Sequence, residues 1–427
     1  MNNAVEVAKG IYWVGVNDKE TDLFEAVWPL PRGVAYNSYL VIGEKVVLVD
    51  TVKAFFLADL VTKVKRLLGE DRAIDYLIVN HMEPDHSGSI RILKALYPNL
   101  KILCNAQTVK MLENFYSVTD GIIQVKDGEE IDVGGHVLKF FLTPMVHWPE
   151  TMMTYDKVTK TLFSCDAFGG FGCLEGGIFD DEVDMSYYEG EILRYFSNIV
   201  GRYSDQVQAA ISKLSGVEVK VVAPSHGPIH RSKPEHIIGL YDKWSRHETE
   251  CGAVVVYGSM YGNTAKLAHA TARALAKEGI GHVIVHDIAR DHVSFVIRDI
   301  WRYRGLVLAS CTYNTMPFPP MQDLMTHLEN KKMKNRLLGI MGNYTWSPGI
   351  LKKLKEFAQS AGKWELLSPE IVIQSSPKDE DYDKAVQQFV DIRHKKHLLR
   401  SGLRRGPVRP QGERTGNALL ILPEWRL

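Results

Sequence analysis

The chain has 427 residues, 45% of them hydrophobic, with 51 basic and 51 acidic side chains and a formal net charge of zero. That length and apolar content support two well-buried cores, and balanced charge without a long basic stripe argues against nucleic acid as the main partner. Five scattered cysteines, Cys104, Cys165, Cys173, Cys251 and Cys311, form no Cys-x-x-Cys pair. This excludes a built-in rubredoxin-type or zinc-ribbon site and predicts a reducing, cytoplasmic setting. Residues 1–10 are acidic and polar rather than signal-like, and no apolar stretch approaches membrane-spanning length, so no membrane association is expected.

Along the chain, Tyr76-Leu77-Ile78-Val79 predicts a buried strand, and Ile90, Leu93 and Leu96 fall at helical spacing after Gly88. Between them, on a strand-to-helix loop, lies His81-Met82-Glu83-Pro84-Asp85-His86. A chance match to its four fixed positions is expected in about one chain in a thousand of this length. Three more ligand-type residues follow in the same manner: His147 after the apolar run 137–142, Asp166 after Thr161-Leu162-Phe163-Ser164-Cys165, and His226 after residues 219–224. Each falls just past a strand, so all can converge on one edge of stacked sheets.

Imidazoles and carboxylates suit borderline or hard metals, and a carboxylate can give one oxygen to each of two ions. Asp166 is the best candidate for that bridge. A lone His or Asp at a strand end more often caps or hydrogen-bonds, but the ordered set points to a two-metal site. His86 is its weakest member, because neighbours in sequence need not reach the same ion, and a supporting role is open to it. Met145 and Trp148 beside His147 read as ordinary core packing.

From Cys251 the texture changes. Strands are expected at 253–257, 283–286, 306–309, 337–340 and 371–373, with a helix from about Thr264 that buries Leu267, Thr271, Ala274 and Leu275 and stops at Gly279. Strands alternating with helices argue for a doubly wound parallel sheet, which binds ligands at the carboxyl ends of its strands. Three loops fall there: Ser259-Met260-Tyr261-Gly262-Asn263-Thr264, Ser310-Cys311-Thr312-Tyr313-Asn314-Thr315 and Gly342-Asn343-Tyr344-Thr345-Trp346-Ser347. The first offers hydroxyls, N–H groups and a helix N-terminus to a phosphate and has no Walker lysine; the aromatics of the others can stack on a flat ring. After residue 397, Arg400, Arg404, Arg405, Arg409 and Arg414 stand among Gly and Pro. This tail, 398–427, is expected to be disordered or loosely docked rather than a docking arm. The expected division is therefore 1–250, 251–397 and 398–427.

The ligand layout of residues 1–250 resembles the metallo-β-lactamase fold, an αββα sandwich whose hydrolytic members usually carry a histidine where this chain has Glu83. An anionic oxygen donor there favours iron, and its more oxidised state, over zinc hydrolysis. Asp50, after residues 46–49, looks like that fold's structural aspartate. The second domain resembles flavodoxin, which implies FMN held by Ser259, Met260, Tyr261, Gly262, Asn263, Thr264, Thr312, Tyr313, Asn314, Gly342, Asn343, Tyr344, Thr345 and Trp346. In this order the two domains resemble the flavodiiron proteins (A-type flavoproteins) over residues 5–397. That resemblance implies His81, Glu83 and His147 on one iron, Asp85, His86 and His226 on the other, and Asp166 between them. It further implies reduction of dioxygen to water, of nitric oxide to nitrous oxide, or both, with a slight lean to dioxygen. The implied assembly is a head-to-tail homodimer or dimer of dimers, fed by a separate donor, rubredoxin or a reduced deazaflavin coenzyme. Two rival readings are a metal-dependent hydrolase with an accessory flavodoxin domain and an electron-transfer module whose metal centre is inactive.

Overall fold

The computed structural model describes residues 3–69, 72–362 and 364–394. The arginine-containing tail lies outside the described residues. The N-terminal half of the chain is built on two stacked sheets. The first runs Val5–Ala8, Ile11–Trp13, Tyr39–Ile42, Val46–Val49, Tyr76–Ile78, Lys101–Cys104 and Ile122–Gln124, antiparallel up to Val46–Val49 and parallel beyond it. The second runs Glu130–Asp132, Val137–Leu142, Met152–Asp156, Thr161–Cys165 and Val221–Pro224, with only the last pair parallel.

The strand period of two explains how one sheet serves two cores. Val47 and Val49 point between the sheets, where they join Ile78, Leu138, Phe140 and Phe163; Val46 and Leu48 point outward beneath the helices, with Leu60 and Val64 of Leu57–Leu68. Thr161–Cys165 and Val221–Pro224, which precede Asp166 and His226, are buried on both faces.

Strand Glu250–Gly258 opens a third sheet, which is parallel. Its order is Val283–Asp287, Glu250–Gly258, Tyr303–Tyr313, Leu337–Tyr344 and then Ile371–Gln374, the 2-1-3-4-5 arrangement of flavodoxin-like folds. Alternation works here too: Ala253 and Val255 face the helix Asn263–Lys277, while Val254 and Val256 face a core continuous with the first half. That helix buries Leu267, Thr271, Ala274 and Leu275, as the spacing predicts, and also Thr264 and Ala268; Gly279 follows with φ +79°.

The halves meet over Trp301, which is fully buried, lies 5.4 Å from Phe196 and donates its indole N–H to Trp244 O at 3.2 Å. Gly201 is needed there, because a Cβ would come within 2.6 Å of the Trp301 ring. Lys331 Nζ donates to Asn198 O across the same seam.

Two local expectations need correction. Leu96 is 53% exposed rather than inward, since the helix Ile90–Leu96 ends there, two residues before Pro98. The metal-type motif is not all loop: Pro84–Ser87 forms a helical turn with proline at its first position. Among the described residues no helix is long and apolar enough to cross a membrane.

Candidate metal centre and flavin cavity

Hydrogen bonds fix the loop after Tyr76–Ile78. Asp50 accepts from Asn80 N–H at 2.7 Å and from Asn80 Nδ2 at 2.9 Å, so its carboxylate serves the backbone of this loop. Thr51 N–H and Oγ1 both donate to His86 O, at 2.8 and 2.6 Å. Ser87 Oγ, 2.6 Å from Met82 O and 2.9 Å from Glu83 O, closes the turn. Glu83, Asp85 and His86 are thereby aimed to one side.

The seven ligand-type side chains converge into two groups. His81, Glu83, His147 and Asp166 form one and Asp85, His86 and His226 the other, the donor atoms in each lying within 4.8 Å of one another. Asp166 faces both. Its Oδ2 is 3.3 Å from His81 Nε2 and 3.2 Å from His147 Nε2, and its Oδ1 is 3.0 Å from His86 Nε2 and 3.4 Å from His226 Nε2. Glu83 Oε2 lies 3.1 Å from His147 Nε2, and Asp85 Oδ2 lies 3.3 Å from His226 Nε2. His86 therefore turns its ring into the second group.

Packing three carboxylates and four imidazoles in a buried volume is costly without a counter-charge. Burial opposes the charged forms of His226, His147, Glu83 and Asp166, yet their neighbours win. The pKa of His226 rises to about 10 through Asp166 and Asp85 and that of His147 to about 9 through Asp166 and Glu83, while Glu83 and Asp166 are held well below the usual carboxylate range by the histidines. Both oxygens of Asp85 and of Asp166, both ring nitrogens of His86, and His226 Nε2 are buried without a hydrogen-bond partner. Such atoms suit a cation in place of the protons the imidazoles hold.

The surroundings include residues that no sequence spacing singles out. Glu150 Oε1 lies 2.7 Å from His81 Nδ1, and His226 Nδ1 lies 2.8 Å from Ala35 O. Phe24, Tyr36 and Tyr195 set ring edges or faces against His226 at 5.3 to 5.8 Å. Trp148, half-buried, sits edge-on to His81 at 5.1 Å, so its packing is against a ligand-type side chain rather than the general core. A cavity of about 450 Å³, walled by Phe24, Tyr36, Phe115 and Tyr116, reaches Glu83 and Asp85. At its lining stands Glu25, exposed and in a left-handed turn with Ala26 (φ +50° and +57°), where Trp28 Nε1 donates to its Oε2 at 2.9 Å.

A second cavity, about 370 Å³, lies at the carboxyl ends of the parallel strands. All three loops picked from the sequence line it, together with Ser375 from a fourth strand end. Gly262 and Gly342 do not line it but shape it: Gly262 takes φ +85° just before the helix, and a Cβ on Gly342 would meet Ile350 at 2.9 Å. Thr264 Oγ1 is buried without a partner at the first helical turn, and Asn343 is fixed by donating Nδ2 to Ser375 O at 3.1 Å. Asn314 and Thr315 are left-handed in the second loop, a strained backbone of the kind found at ligand sites. Among the described residues, no charged side chain is in the lining.

Residues 34–227 match the ODP family of beta lactamases and residues 255–389 match flavodoxin. The chain is 32% identical to the nitric oxide reductase of Moorella thermoacetica, over 91% of this chain and 97% of that protein. It is 33% identical to the anaerobic nitric oxide reductase flavorubredoxin of Escherichia coli, over 84% and 76%. The rubredoxin oxygen:oxidoreductase of Desulfovibrio gigas superposes with a TM-score of 0.88 at 27% identity, over 93% of this chain and 100% of that one. Fold, site and relatives define an oxidoreductase that joins a beta-lactamase-like domain to a flavodoxin domain. The chain belongs to the flavodiiron protein family. These three relatives are named as reductases or an oxidoreductase, which favours an oxidoreductase over the hydrolase alternative.

Proposed function

We propose that this chain reduces dioxygen to water, nitric oxide to nitrous oxide, or both, at a pair of irons supplied with electrons by FMN. The observation that carries the reading is Asp166, whose two buried oxygens each face a different group of histidines and carboxylates. His81, Glu83 and His147 would hold one iron, Asp85, His86 and His226 the other, and Asp166 would span both. The donor set fits iron: hard carboxylate oxygen in each group, with imidazole and no thiolate.

The loops at the second cavity fit FMN. The Thr264 hydroxyl and the helix N-terminus would receive the phosphate, and Tyr313, Tyr344 and Trp346 offer faces to the ring. Two irons and one flavin together store the four electrons that full reduction of dioxygen takes. The chain's own part is positional. Glu83 and Asp85 line a cavity walled in part by Phe24, Tyr36, Phe115 and Tyr116, roomy enough for a small gas, and the carboxylates would keep the irons paired.

Exposed apolar residues cluster at both cavities. Tyr261 and Trp346 are 90% and 87% exposed at the flavin cavity, and Phe55 is 80% exposed beside Ala54 of the metal cavity, with Phe115 and Leu23 also exposed in its lining. Patches of this kind mark contact surfaces, and they support a head-to-tail dimer that brings one subunit's flavin to its partner's irons. A separate cytoplasmic donor, a rubredoxin or a reduced deazaflavin coenzyme, would supply the flavin.

Metal analysis with gas electrodes tests the reading. The purified protein should hold two irons per chain and consume at least one of the gases only with reductant. His147→Asn should lower iron content and cut turnover by about tenfold or more. Zinc without iron, or turnover unchanged in the variant, would overturn it.

A further inference from the structure

The two ligand groups carry matched charge. Each has one carboxylate of its own, Glu83 or Asp85, and each faces one oxygen of Asp166. The difference lies behind the imidazoles. His81 Nδ1 meets Glu150 Oε1 at 2.7 Å, with both side chains fully buried, whereas His226 Nδ1 donates to the neutral main-chain carbonyl of Ala35. His81 presents Nε2 to Glu83 and Asp166, so its ring proton sits on Nδ1, between it and Glu150.

Glu150 is also held firmly. Its Oε1 accepts the Met82 N–H at 2.9 Å, and its main-chain carbonyl accepts from Asn105 Nδ2, whose Oδ1 caps the helix Ala106–Tyr116. Its other oxygen, Oε2, is buried with no partner. Among the described residues the ion pair of Glu150 is with His81. A buried carboxylate drawing on an imidazole N–H gives the ring anionic character and makes its other nitrogen a stronger donor.

We propose that Glu150 makes the two metal positions unequal. It acts as a positioning residue with a fixed charge, so that the iron on the His81, Glu83 and His147 side keeps its ferric state to a lower potential than its neighbour. That iron is the last to be reduced and the first to give up an electron. This rests on the iron reading above and adds an order to it.

The test is an anaerobic redox titration of the iron-loaded protein, followed by the electron paramagnetic resonance signal of the half-reduced pair. The wild type should reduce in two separated one-electron iron steps. Glu150→Gln can still accept from His81 Nδ1 and from Met82 N–H but carries no charge. It should raise the lower step and reduce the comproportionation constant about tenfold, roughly 59 mV. Glu150→Asp keeps the charge and should keep the separation. A wild type whose irons reduce at one potential overturns the proposal, as does a Gln variant with both irons and an unchanged gap. A wild type that binds no iron refutes the parent reading instead.

Discussion

Thr264 shows how much one atom can decide. Its hydroxyl is buried without a partner at the start of a helix, where a phosphate would complete it. A hydrogen bond to a charged group is worth about 1.5–3 kcal/mol, so Thr264→Val should weaken FMN binding about tenfold or more, read by fluorescence titration of the apoprotein. Unchanged affinity would place the phosphate elsewhere. The seven metal-type residues were legible in the sequence because four of them crowd into six positions and the others each follow an apolar run. Glu150, Glu25 and Tyr36 were not, since only the tertiary path of the chain brings them to the site and no spacing encodes that approach. The backbone strain at Glu25 and Ala26 was equally silent, because neither residue type advertises a left-handed turn.

At the scale of elements, periodicity located the five longer strands of the flavodoxin half, underestimated their lengths, and missed the two-residue strands Met316–Pro317 and Glu365–Leu366. The run read as 306–309 is Tyr303–Tyr313, because pairing on both sides carries the ladder past the apolar centre into polar residues at the cavity. The segment after Val221–Pro224 carries a buried histidine of a different kind from the ligand set. His230 pairs its backbone with Val222, and burial brings its pKa down to about 4 despite the opposing charge of Asp180. An unfolded histidine titrates near 6.5, so between that pH and 4 the unfolded chain binds the extra proton. Stability from this group is therefore complete above about pH 6.5 and falls as pH drops toward 4, by at most about 3 kcal/mol. Denaturant melts from pH 7 to 4 should show that slope, and His230→Asn should flatten it. An equal slope in the variant would contradict the assignment.

The whole molecule places two cavities on two halves joined by a tryptophan-centred seam. Domain order and fold class were readable because the change from ligand-bearing strands to alternating strand and helix falls near Cys251. The seam itself was not, since Trp301 and Gly201 meet only when both halves are folded. If the exposed rims pair between subunits, Phe55→Asp and Trp346→Asp should each shift sedimentation from dimer to monomer and slow internal electron transfer, with each chain's secondary structure intact. Unaltered sedimentation would remove those rims from the interface. The central claim, that a flavin-fed iron pair reduces a gas, is met most directly by stopped-flow mixing of the fully reduced protein with dioxygen and, separately, with nitric oxide. Flavin and iron should reoxidise with at least one gas far faster than free FMN does; reoxidation no faster than free FMN with either gas would contradict the account.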